Sequence, residues 1–71
     1  MICFNDIIAD GATFQGPLCV VAISFEGESS VVYDGEGEDV PRDAVWGEGF
    51  VSYVYYDVAN GCITVEIEEK E

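Results

Sequence analysis

The residues that could do chemistry in this chain are its carboxylates. Fifteen Asp and Glu stand against two Lys and Arg, with no His, giving a formal charge of −13 on 71 residues. Two concentrations stand out, Asp34-Gly35-Glu36-Gly37-Glu38-Asp39 in the centre and Glu66-Ile67-Glu68-Glu69-Lys70-Glu71 at the end. Carboxylates can hold hard cations, move protons, or accept charge-assisted hydrogen bonds from Arg and Lys. The central run fails as a calcium loop: an EF-hand starting at Asp34 needs Gly sixth and Glu twelfth, where Asp39 and Val45 stand. No metal and no cofactor is expected. Paired carboxylates of the glycosidase kind need a cleft with opposing walls, which so short a chain rarely builds. Without His, a Ser or Cys nucleophile also lacks its usual base, so the chain reads as a non-enzyme. Recognition of a basic protein is the remaining chemistry.

The charge narrows the partner. Nucleic-acid binding depends on Lys and Arg releasing phosphate counterions, so direct contact with nucleic acid is excluded. Anionic membrane surfaces are disfavoured for the same reason, and no apolar run approaches the roughly 20 residues of a membrane span. Hydrophobic residues make up 49% of the chain, against the low-hydrophobicity composition of disordered segments. The expectation is one acidic α+β domain over 1–71, near the size at which a domain buries about 60% of its extended surface. Cys3, Cys19 and Cys62 are odd in number and widely spaced, which suits buried thiols in a reducing compartment. The start, Met1 to Asp6, has neither the basic nor the apolar part of a signal peptide, so a cytoplasmic location is expected.

These carboxylates must be positioned by strands. Phe4, Ile7 and Ile8 fall at helical spacing, which predicts about two turns over Cys3 to Ala9, with Gly11 as the stop, and an irregular lead-in strand fits nearly as well. Leu18 to Phe25 is a β-branched run suited to a central strand, turned by Glu26-Gly27-Glu28-Ser29 into a returning strand, Ser30 to Asp34. Gly35 to Asp39 reads as a flexible acidic loop, and Val40 to Trp46 as one helical turn with Pro41 first and Trp46 plugging the core. Phe50 to Val58 is the clearest strand, and Asn60-Gly61 predicts a two-residue type I′ hairpin. That register puts Val54, Tyr56, Val58, Ile63, Val65 and Ile67 on a core face. Tyr53, Tyr55, Asp57, Thr64, Glu66 and Glu68 then share the other face, since side chains alternate with period two. The fold expected is a mainly antiparallel four-stranded sheet with one or two short helical segments.

Val20 to Phe25, Tyr33-Asp34-Gly35, Asp39 to Val45 and Val51 to Ile67 together resemble a group of short proteins of phages and mobile elements. In size and charge the chain also resembles phage-encoded inhibitors of bacterial defence, of the DNA-mimic and anti-CRISPR type. That resemblance implies an anionic surface filling the Lys- and Arg-lined groove of a nucleic-acid-binding protein or complex. No motif of such a family transfers residue by residue. The candidate contact residues, chosen by charge density and hairpin register, are Asp34, Glu36, Glu38, Asp39, Tyr53, Tyr55, Asp57, Glu66 and Glu68. The alternative is an assembly module, dimeric in one form, that binds a protein through its sheet edge or tyrosine face.

Overall fold

The computed structural model describes residues 2–9 and 14–69. A short helix α1 (Phe4–Ala9) precedes strands β1 (Pro17–Ile23), β2 (Ser29–Glu36), β3 (Phe50–Asp57) and β4 (Cys62–Glu68). The predicted helix stop at Gly11 lies outside the described residues. The sheet has the order β2-β1-β4-β3, so the most apolar strands, β1 and β4, take the centre. Leu18, Val20 and Ala22 of β1 face the same side as Val65 and Ile67 of β4, and all are buried. Phe4 and Ile8 of α1 cover them, joined by Val40 and the half-buried Phe14 and Trp46. The Phe4 ring lies 6.0 Å from Phe14 and 5.2 Å from Trp46.

Two hairpins form as expected, but the sheet is mixed, because the ladder joining them, β1–β4, is parallel. The cause lies in residues 37–49. β2 ends opposite Pro17, whereas β3 begins opposite Glu68, level with Ile23 at the far end of β1. The connection therefore runs the length of the sheet across its core face, carrying Val40 and Trp46 into the core, and delivers β3 parallel to β2. The expected flexible loop and single helical turn are corrected accordingly. Gly35 and Glu36 belong to β2, and the 3₁₀ turns are Gly37–Asp39 and Val45–Glu48, with Pro41 in neither.

Close approach fixes these turns. A side chain at Gly37 would run into the Phe14 backbone, and one at Gly47 into the Asn5 carboxamide. Asn5 in turn donates from Nδ2 to the Ala44 carbonyl at 3.0 Å, tying α1 to the second 3₁₀ turn. Arg42 donates to the Ile8 carbonyl at 3.3 Å, where the C-terminal end of a helix favours a cation. No helix among the described residues is long and apolar enough to cross a membrane.

Candidate protein-binding face

The β3–β4 turn sets which side chains share the face, and it is not the two-residue turn expected. Asp57 pairs with Cys62, leaving Val58 to Gly61 as a four-residue turn. A type I′ turn needs positive φ at both central residues, and here Gly61 alone has it, at 65°. Asp57 is the reason. Its Oδ1 accepts from the amides of Ala59 and Asn60 at 3.1 and 3.3 Å, and its Oδ2 from Asn60 Nδ2 at 2.7 Å. The Gly61 amide closes the turn on the Asp57 carbonyl at 2.7 Å. The register moves by two residues relative to expectation, and a shift of two preserves the faces.

Tyr53, Tyr55, Asp57, Thr64, Glu66 and Glu68 therefore lie on one side, as the alternation predicted. The opposite assignment is only half realised: Val65 and Ile67 are buried, but Val54, Tyr56 and Val58 are exposed. β3 is an edge strand, and the covering helix and turns do not reach its far end.

Across the sheet, Thr64 pairs with Cys19, which pairs with Asp34, and Glu66 pairs with Val21, which pairs with Val31. Alternation along β2 adds Glu36 to this face. Five carboxylates, Asp34 and Glu36 on β2, Asp57 on β3, Glu66 and Glu68 on β4, thus share one face with Cys19, Val21, Val31, Tyr53, Tyr55 and the buried Cys62 and Thr64, and Glu66 lies between Val21 and Tyr53. Strand spacing places Glu36 about 14 Å from Asp57 across the sheet, and carboxylates two residues apart on a strand about 7 Å from each other. α1 and the 3₁₀ turns pack on the other side. Arg42, the one cation among the described residues, sits with α1 and away from this face.

Glu38 and Asp39 do not join this face. The turn Gly37–Asp39 folds toward the core side, with Gly37 buried against Phe14. There the charge of Asp39 acts on Tyr33, whose ring packs against the core and whose hydroxyl donates to the Glu36 carbonyl at 2.6 Å. The sequence reading missed the neutral part of the face that β1 and β2 supply, Cys19, Val21 and Val31. Counting by twos from Asp34's partner Cys19 to Val21 would have found part of it, had the β1–β2 register been known.

The carboxylates perturb their neighbours. The Tyr55 hydroxyl is held above its ordinary value of 10.0 by a hydrogen bond to Glu66, then by desolvation and the charges of Glu66 and Asp57. Cys19 is raised above 9.0 by burial first, then by Cys62, Asp34 and Asp57, so it stays a thiol near neutrality. All three cysteines are free. Chemically the face offers carboxylate acceptors interleaved with apolar and phenolic surface, groups that a protein contact can use.

On the opposite side, Ala22, Val32, Val45, Trp46, Glu48 and Glu69 line an open cleft of about 420 Å³, which none of the predicted contact residues borders. Among the described residues no group of three acidic or cysteine side chains is placed to hold a metal ion. Comparison with known proteins finds no family model, no curated protein and no solved structure that matches the chain.

Proposed function

We propose that this protein is a non-enzymatic inhibitor that binds a basic nucleic-acid-binding protein or complex, presenting carboxylates where phosphates would lie. The observation that carries this reading is that five carboxylates share one sheet face with Tyr53, Tyr55 and Val21, and that among the described residues this face carries neither Lys nor Arg. Arg side chains of the partner would engage the carboxylates by charge-assisted, bidentate bonds, and the tyrosines would add amphipathic contact area beside them. The summed negative field would speed encounter with a positive groove. Glu38 and Asp39 contribute to that field at longer range. Phage-borne DNA mimics, anti-CRISPR proteins among them, act in this way, which would set the protein to work in the cytoplasm of the host cell.

The test is capture of partners on the immobilised full chain from host lysate at about 50 and about 500 mM NaCl, a range over which exposed ion pairs are screened. A basic nucleic-acid-binding complex recovered at low salt, lost at high salt and displaced by added DNA is expected. Glu66→Gln with Glu68→Gln should weaken its binding about tenfold more than Glu38→Gln with Asp39→Asn, an equal loss of charge, since about 1.4 kcal/mol is tenfold. Equal effects would reduce the interaction to net charge and remove the face from it.

A further inference from the structure

β3 is an edge strand whose sequence does nothing to discourage pairing. In a chain with fifteen acidic residues, Phe50–Asp57 has one charge, at its last position, and neither Pro nor Lys. Edge strands of monomers commonly carry such residues to block association. The side chains from Tyr53 to Tyr56 are uncovered on both faces: Tyr53 is 65% and Tyr55 46% exposed on one, Val54 57% and Tyr56 61% on the other. The first part of the edge is already occupied. Cys3 bridges Phe50, and the Val51 amide donates to the Ile2 carbonyl at 2.8 Å. Beyond the bulge between Val51 and Tyr53, no described strand pairs with the outer edge.

We infer that this edge pairs antiparallel with the same edge of a second copy, about a two-fold axis at Tyr55, giving a homodimer with one continuous sheet. The segment Ile2–Phe4 selects the register by leaving 53–57 free. An axis at Tyr55 uses all five residues, with Tyr53 opposite Asp57, Val54 opposite Tyr56, and Tyr55 opposite itself. An axis at Val54 would drive Asp57 of one copy onto Val51 of the other, where Ile2 already lies, and an axis at Tyr56 would strand Tyr53. The register at Tyr55 sets aromatic against β-branched side chains and puts no carboxylate directly opposite another. It also brings the exposed Val58 of one copy to the end of the edge where the exposed Ile2 of the other lies.

Charge favours a second copy over a basic peptide. Edge pairing covers the outward backbone of 53–57 and the flanks of the exposed Tyr53, Val54, Tyr55, Tyr56 and Val58, so the backbone ladder supplies much of the contact. A basic peptide would meet no carboxylate along β3 before Asp57, whereas two polyanions meet with least repulsion on their least charged strand.

Sedimentation velocity of the full chain from about 5 to about 200 μM tests this. A dimer is expected, with a dissociation constant at least tenfold lower at about 500 mM than at about 50 mM NaCl, because salt screens the repulsion between copies. The dependence is opposite in sign to that of the inhibitor contact, so each can fail without the other. Val54→Lys with Tyr56→Lys lowers the net negative charge yet sets Lys against Lys; it should stay monomeric at about 200 μM with an unchanged circular dichroism spectrum. In the unaltered chain, amide exchange at 53–57 should slow as concentration rises, a readout that needs no variant. A monomer at both salts, a dimer that survives the folded double variant, or exchange at 53–57 indifferent to concentration would each overturn the pairing.

Discussion

Three titratable side chains report on the negative field around them. Cys19 lies above 9.0, and Tyr33 and Tyr55 above 10.0, with burial the leading cause at Cys19 and Tyr33 and the hydrogen bond to Glu66 at Tyr55. A raised value means that the folded chain keeps a proton the unfolded chain has released. The stability this contributes is complete below the unfolded values and is lost as pH rises through the folded ones. Urea unfolding followed from pH 7 to 11 should therefore show stability falling above about pH 9, and Tyr55→Phe should make that fall shallower by removing the phenol that loses its bond to Glu66. Stability that rose across this range would contradict the placement of these groups beside Asp34, Asp39 and Glu66.

Among the elements, the β3–β4 hairpin decides most. Asp57 carries a formal charge like its fourteen acidic companions, but its oxygens are engaged by three donors of the turn. Asp57→Ala should cost about 1–2 kcal/mol in urea unfolding by freeing those donors. Asp57→Asn should cost less, since a carboxamide oxygen still accepts from the two amides. A residue that acted by charge alone would give the opposite sign, because removing one negative charge from a chain at −13 relieves repulsion. The measurement therefore separates a turn residue from a surface charge. It also assigns Asp57 two tasks, holding the turn and adding a carboxylate to the face.

At the scale of the whole molecule, self-repulsion opposes the compact state. Among the described residues the helix and turns cover one face of a four-stranded sheet, so the core that must resist this repulsion is small. Raising NaCl from about 10 mM to about 0.1 M shortens the screening length from about 30 to about 10 Å, less than the reach of the domain. The melting temperature should rise over that range by several degrees, since about 1 kcal/mol corresponds to about 4–8 °C at this chain length. A melting temperature indifferent to salt would show that the carboxylates are spaced too widely to repel one another measurably.

The elements themselves were legible in the sequence. Helical spacing of Phe4, Ile7 and Ile8, the β-branched run from Leu18 and the alternation from Phe50 to Ile67 are local signals, and α1, β1, β3 and β4 lie where those signals put them. The faces of the last hairpin were legible too, despite a wrong turn, because an error of two residues leaves every side chain on its own side. The parity of those strands already grouped Tyr53, Tyr55, Asp57, Glu66 and Glu68. What tertiary structure alone decided was the joining of the hairpins. Nothing local states that β1 lies parallel to β4, since that follows from a connection that must cross the core face to bury Val40 and Trp46. This crossing brings Asp34 and Glu36 onto the tyrosine face, turns Glu38 and Asp39 away from it, and leaves β3 on the edge. Charge and pattern are properties of residues and their neighbours in the chain, whereas a shared surface depends on contacts between segments that only burial of the common core can select.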